Sequence, residues 1–457
     1  MDAVPREREE PRGGGVPAAP RGGDGPPLAA RTIFRFWLPL AATWLMMAAE
    51  GPFVAALVAR MPEPTYNLAA FGVALALAFV AEAPIIMMLA ASTALARDRE
   101  SLARVGRFSL LMNGGVTAAM ALVAFPPVFR ALATGVLALP PAVADRACLA
   151  VAVFLPWPAA IGFRRFQQGI LIGAGRTRLV AYGTVVRLAT MAATGTILFL
   201  AGAVDGAVVG AAALSSGVVV EALASWAWAR GDRSRLASTP PAAPGDVPTL
   251  AAIQRFYWPL AVTPLMNMAA QPLVTFFVGR GALPIESLAV LPVVNSFGFL
   301  FRCPATAFQE VVIALGRGGA NAIRSLRRFA TFVGGLSSLA MAAVVLTPAA
   351  GLWFSGVTGL EPGLVPLARR AAAVLVLTPA AATVIVWMHA RLVMLRTTRL
   401  VTLGTLVELS VLAAALFAGI RLSAVPAAIV ATSAVLAGRT AGALFLLAAR
   451  SRPRPAR

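Results

Sequence analysis

Ten ionisable residues stand inside otherwise apolar stretches of this sequence: Glu50, Glu82, Arg164, Arg165, Arg187, Glu221, Arg302, Glu310, Glu408 and Arg439. Taking a charge into hydrocarbon is expensive, so each needs a partner that compensates it or a task that requires it. Three kinds of chemistry are open to such a set. Opposite charges can pair and hold helices together. A guanidinium can hold an anionic substrate. A carboxylate without a basic neighbour suits proton coupling, because burial penalises its charged form.

Other chemistry is excluded by inventory. His389 is the single histidine, so there is no cluster of His ligands for a metal. Each Asp falls in a tail or at a loop, which removes a buried aspartyl dyad. All 39 basic residues are Arg, and without Lys neither a phosphate-binding loop of the Walker type nor Schiff-base chemistry is available. Gly173–Ala174–Gly175 follows an apolar helix rather than a strand and is a false nucleotide fingerprint. Cys148 and Cys303 read as small packing residues, with no disulfide framework. We therefore expect no catalytic residue, no metal and no enzyme, and no cofactor beyond a coupling ion, H⁺ or Na⁺.

The elements that must position the charges are membrane helices. The chain has 457 residues, 59% hydrophobic and only 13% charged, against roughly 25% charged in a soluble protein. Spans of about 20 apolar residues cross a bilayer, and twelve are read near 33–59, 67–96, 108–129, 147–174, 179–202, 206–229, 255–279, 286–315, 329–354, 367–390, 400–419 and 424–449. A net charge of +20 would suggest nucleic acid in a soluble protein. Here Arg concentrates in alternate connections, with Arg97, Arg176, Arg317 and Arg396 among them, while Arg60, Arg280, Arg369 and Arg370 lie in the sparser set. The positive-inside rule then puts both termini in the cytosol of a multi-pass protein of the cytoplasmic membrane. The expected partners are the bilayer and a small molecule, not nucleic acid, and the chain is expected to work as a monomer.

An internal repeat organises the spans. RFWLPLA at 35–41 returns as RFYWPLA at 255–261, and over 35–60 against 255–280 13 of 26 positions are identical. Pro39/Pro259, Pro52/Pro272, Arg60/Arg280 and Pro84/Pro304 keep the offset, and TRLV at 177–180 recurs at 398–401. Six spans per repeat give two lobes of one orientation, related by an axis along the membrane normal. The expected fold is all-α: about twelve transmembrane helices in two pseudo-symmetric six-helix lobes. Residues 1–30 form a disordered cytosolic tail, 31–229 the N-lobe, 230–252 a linker, 253–450 the C-lobe and 451–457 a basic tail.

The repeat also sorts the charges. Arg187 corresponds to Glu408, and Glu221 to Arg439 at an offset of 218, so ion pairs Arg187–Glu221 and Glu408–Arg439 are expected to be structural. Glu82 and Arg302 are mates, each two residues before a proline. They either latch across a central cavity, pair privately inside their lobes, or leave Arg302 to hold an anion. Glu50 and Glu310 have uncharged mates, Ala270 and Ala90, which leaves coupling or a protonated, hydrogen-bonded carboxyl. Arg164 and Arg165 either snorkel from the end of the fourth span or join Arg302 on the substrate. Asn113, Gln167, Gln168, Asn267, Gln271, Asn295 and Gln309 are candidate cavity liners.

The six-plus-six arrangement resembles the superfamily of multidrug and toxic compound extrusion (MATE) transporters and polysaccharide or lipid-linked-sugar flippases. Within it, RFYWPLA at 255–261, QPLVTFFVGRG at 271–281, ESLAVLP at 286–292 and QEVVIALGRG at 309–318 are most similar to the progressive ankylosis protein family. EGPFVAALVAR at 50–60 supports that over a shorter stretch. The resemblance implies a secondary-active transporter working by alternating access and exporting a small organic or phosphorylated anion such as pyrophosphate, citrate or a nucleotide. On this reading Arg302, Arg164 and Arg165 contact substrate, and Glu50, Glu82 and Glu310 couple or gate. The alternatives are a cation-coupled multidrug antiporter and a flippase for lipid-linked saccharides.

Overall fold

The computed structural model describes residues 27–240, 248–316, 319–395 and 399–450. Arg317, Arg396 and the basic tail, together with most of the N-terminal tail, lie outside them. Twelve spans follow in order: α1 Ala30–Ala59, α2 Pro64–Glu82, α3 Arg99–Ala124, α4 Pro141–Gly173, α5 Thr177–Ala201 and α6 Gly206–Trp228. After a short helix at Arg230–Ser238, inside the stretch read as a linker, come α7 Leu250–Val278, α8 Pro284–Leu315, α9 Ala320–Val345, α10 Pro362–Met394, α11 Arg399–Leu422 and α12 Ala427–Ala449. Among the described residues eleven are each long and apolar enough to cross a membrane, and α7 passes the same test as a pair, Leu250–Val262 and Pro264–Val278, bent by 46°. Its prolines remove helix hydrogen bonds, which is the cause of such a bend. Short connections make successive spans antiparallel, so α1, α3, α7 and α9 begin at one membrane face, called the first face below.

The repeat is written into backbone detail. Glu63 and Leu283, 220 residues apart, both take left-handed φ values, 49° and 52°, just before the proline that opens α2 or α8. Asn67 Oδ1 accepts the Ala207 N–H at 3.1 Å, and Ser287 Oγ accepts the Ala428 N–H at 3.0 Å. Each caps the first turn of its lobe's sixth helix from the second. Without water in hydrocarbon, helices associate through close backbone approach at small residues. A Cβ on Gly217 would lie 2.9 Å from the Arg187 carbonyl oxygen, and one on Gly438 2.7 Å from that of Glu408. These two approaches fix the register of α5–α6 on α11–α12 at an offset of 221. Gly442, not Arg439, is therefore the mate of Glu221. The correspondence read at 218 is one helical turn out, an error that repetitive Ala-rich helices invite.

The lobes meet along α2 and α8. Gly72 on α2 faces Pro292 on α8, where a Cβ would approach the proline ring to 2.7 Å. These residues are themselves 220 apart, and a residue touching its own repeat mate lies at the pseudo-two-fold axis. Hydrogen bonds between lobes obey the same symmetry. Near the first face, Trp37 Nε1 donates to the Pro304 carbonyl at 3.0 Å, and the Tyr257 hydroxyl donates to that of Pro84 at 2.6 Å. At the opposite face, Arg60 donates to the carbonyls of Gly356 and Val357 at 2.7 and 3.0 Å, and Arg280 to that of Gly135 at 3.5 Å.

Candidate functional site

In the N-lobe the charges saturate one another. Arg187 on α5 pairs with Glu50 on α1 and, through Nε at 3.6 Å, with Glu221 on α6. Glu221 also pairs with Arg164 on α4 and accepts Gln168 Nε2 at 3.1 Å. Its side chain is 1% exposed and that of Arg164 7%, so four helices are fastened by charges removed from solvent and lipid. Glu82, at the end of α2, accepts Trp157 Nε1 at 3.2 Å.

Several expectations change here. Glu50 is not an unpaired carboxylate: α5 brings Arg187 to it, a neighbour 137 residues away that spacing does not reveal. Glu221 takes Arg164 as its close partner, leaving Arg187 mainly to Glu50. Arg164 does not snorkel: its side chain is buried and paired with Glu221 on α6. Arg165 has a buried Nε with no hydrogen-bond partner among the described residues. Among the described residues Glu82 and Arg302 form no ion pair across the lobes, since Trp157 occupies Glu82 from within its own lobe. Glu310 is exposed near the end of α8 and lies outside the cavity described next.

The C-lobe is built differently. Arg439 on α12 meets Glu408 on α11 through Nε at 3.0 Å, with side chains 36% and 19% exposed. The pair borders a cavity of about 110 Å³ lined by Arg302, Asn267, Gln271 and Asn295 among others. Arg302 forms no ion pair or hydrogen bond through its guanidinium with any described residue. It lies back along α8 against Gly298, where a Cβ would come within 3.0 Å of Nη1. Two threonines complete the wall, but their hydroxyls already donate inside their own helices: Thr378 to Leu375 at 2.6 Å and Thr432 to Ala428 at 3.1 Å.

Repeat mates show what the C-lobe has, around this cavity, in place of the side chains packed about the N-lobe charges. Thr378 stands where the N-lobe has Trp157, Ala270 where it has Glu50, and Ile385 where it has Arg164. The large residues that close the N-lobe are absent, while Arg302 replaces Glu82. The cavity thus has two guanidiniums against one carboxylate, an excess positive charge in surroundings of low dielectric, which favours an anion. Asn267, Gln271 and Asn295 were legible in advance as polar residues in apolar helices. The interlobe residues Trp37, Tyr257, Arg60 and Arg280 were missed as a group; identity at one repeat offset was the available signal for the arginines.

No family model matches the sequence, and no curated protein matches it. Among solved structures, an inward-facing multidrug resistance MATE family transporter of the MOP superfamily has a TM-score of 0.67 at 17% identity, covering 91% of this chain and 97% of that one. An outward-facing transporter of the same description reaches 0.56 at 17% identity, covering 92% and 95%. A MOP superfamily transporter from Pyrococcus furiosus, described by a reversed polarity of its binding pocket that suggests a different function, reaches 0.59 at 19% identity, covering 92% and 95%. The chain has the fold of the MATE family transporters of the MOP superfamily.

Proposed function

We propose that this protein is a secondary-active transporter that alternates access between its N-lobe (31–229) and C-lobe (253–450), joined by the 230–252 linker, and exports a small organic or phosphorylated anion. The observation that carries the reading is Arg302: a guanidinium without a partner among the described residues, in a cavity with excess positive charge. Pyrophosphate, citrate and nucleotides are the candidate substrates, following the resemblance to the progressive ankylosis family. H⁺ or Na⁺ is the candidate coupling ion. The Arg distribution supports a cytoplasmic-membrane location with both termini in the cytosol, and a monomer suffices for the mechanism.

A second reading, a cation-coupled multidrug antiporter, is favoured by the multidrug transporters that share the fold. It requires carboxylates available to a cation. In this chain Glu50 and Glu221 are occupied by arginines, and the cavity holds Glu408 between two guanidiniums. A lipid-linked-saccharide flippase would also use a basic cavity. The deciding experiment is transport in proteoliposomes of labelled pyrophosphate, citrate and ATP beside ethidium, with and without a pH gradient. Movement of an anion that Arg302→Ala abolishes supports the proposal. Ethidium movement alone overturns it in favour of the drug antiporter, and silence for all four moves the search to lipid-linked substrates.

A further inference from the structure

We infer that Arg439 is a second anion ligand and that Glu408 is the group the anion displaces; the cavity accepts one phosphoryl-type oxyanion head. This rests on the anion reading of the same cavity and goes beyond it. Arg439 meets Glu408 through Nε at 3.0 Å, and its two terminal nitrogens make no hydrogen bond with the described residues. A guanidinium engaged on one edge still presents a donor pair suited to two oxygens of one anion. The N-lobe pairs lie deep among four helices, whereas this pair borders the cavity and is the more exposed. Arg302 supplies the second guanidinium, and the amides of Asn267, Gln271 and Asn295 make no hydrogen bonds with described residues, so their N–H donors remain free. A cavity of about 110 Å³ has room for a tetrahedral head group, being several times the ~10–15 Å³ of such space that one water needs.

Glu408 competes with the anion for the same guanidinium, and this separates a ligand role from a structural one. The test is equilibrium binding of labelled inorganic phosphate to the purified full-length protein, with thermal unfolding followed on every variant. Glu408→Gln removes the competitor and is expected to bind phosphate about tenfold more tightly, which is 1.4 kcal/mol. Arg439→Gln and Arg302→Gln are each expected to weaken it at least tenfold by the same measure. The double variant Arg439→Gln/Glu408→Gln keeps the local charge balance and tests Arg439 should the single variant unfold. Wild-type phosphate affinity in a folded Arg439 variant, or unchanged or weaker binding in a folded Glu408→Gln, overturns the inference while leaving the Arg302 reading intact. A wild-type protein that binds neither phosphate nor citrate brings down the anion reading itself. Competition of phosphate with short-chain phosphatidic acid distinguishes a free from a lipid-borne phosphoryl group, and loss of either ligand on Arg439→Gln supports the site.

Independently, the interlobe hydrogen bonds point to two duplicated gates. Trp37 and Tyr257 each reach a proline carbonyl of the opposite lobe near the first face, and Arg60 and Arg280 each reach loop carbonyls of the opposite lobe at the other face. These donors and the two prolines keep the repeat offset, so each gate is closed by two equivalent donor residues, one on either side of the axis. Alternating access, on which this inference rests, then requires breaking one pair while the other holds. The test is maleimide labelling of Val435→Cys in a background with Cys148 and Cys303 replaced by Ala. Arg60→Gln/Arg280→Gln is expected to increase labelling from the opposite face at least threefold, and Trp37→Phe/Tyr257→Phe from the first face, the threefold change being about 0.7 kcal/mol of opening. Unchanged labelling from both faces in folded protein overturns the gates.

Discussion

The N-lobe and C-lobe place charges at corresponding points of corresponding helices and use them in opposite ways. In the N-lobe, Glu50, Glu82 and Glu221 face Arg164, Arg165 and Arg187, three acids against three bases, and Trp157 fills the space beside Glu82. In the C-lobe, Glu408 is the one carboxylate lining a cavity with Arg302 and Arg439, and Thr378 stands in its wall in place of Trp157. The lesson is that the helical frame sets where a charge can stand, while the volume and sign of a few side chains decide whether it is neutralised inside the lobe or presented to a ligand. A buried pair deprived of one member leaves an uncompensated charge, whereas a cavity-lining charge can be met by water or substrate.

That contrast is broken most directly at the two acids. Glu221→Ala leaves Arg164 and Arg187 without their shared carboxylate and is expected to cost about 3–5 kcal/mol of stability. Glu408→Gln, in a pair lying against a cavity, is expected to cost no more than about 1 kcal/mol. Equal drops in Tm for the two variants, measured in the same detergent, would remove the distinction between the lobes. Exchanging the space-filling residues is the next largest change. Trp157→Thr strips Glu82 of its donor and opens a void, a loss of about 3 kcal/mol by the usual cost of large-to-small substitutions. Thr378→Trp should leave the protein folded but fill the cavity and reduce anion transport at least tenfold, about 1.4 kcal/mol; undiminished transport would show that substrate does not use this space.

Smaller effects sharpen the site. Arg302→Lys retains a positive charge but loses the planar donor fork, so it should keep part of the transport that Arg302→Ala abolishes, with both Tm values near wild type. Equal loss in the two variants would mean that geometry outweighs charge. Gly298→Val pushes on the Arg302 guanidinium and should raise KM about threefold, near 0.7 kcal/mol, with kcat retained. An unchanged KM would show that Arg302 binds its ligand in a pose independent of that support.

How much of this was legible follows from the residues themselves. Glu408 and Arg439 could be matched because both lie in apolar helices adjacent in sequence, although the register was read one turn out. Glu50 could not be matched to Arg187, nor Glu221 to Arg164, because those contacts join non-consecutive helices and no local period encodes them. Trp157 and Thr378 carried no signal at all, since either is an ordinary residue of a membrane helix. Pro84 and Pro304 were visible as mates, but not as acceptors for Tyr257 and Trp37 from the opposite lobe.

The sequence by itself determined that this is an all-helical membrane protein of about twelve spans in two related halves. Apolar length, loop arginines and the repeat are properties of single segments, and a bilayer leaves such segments little freedom but to form helices. Only the tertiary structure decided which charges neutralise one another and which remain available. That outcome depends on helix rotation and on distances of a few ångströms between residues more than a hundred positions apart, where one large side chain closes a lobe and one small side chain opens it.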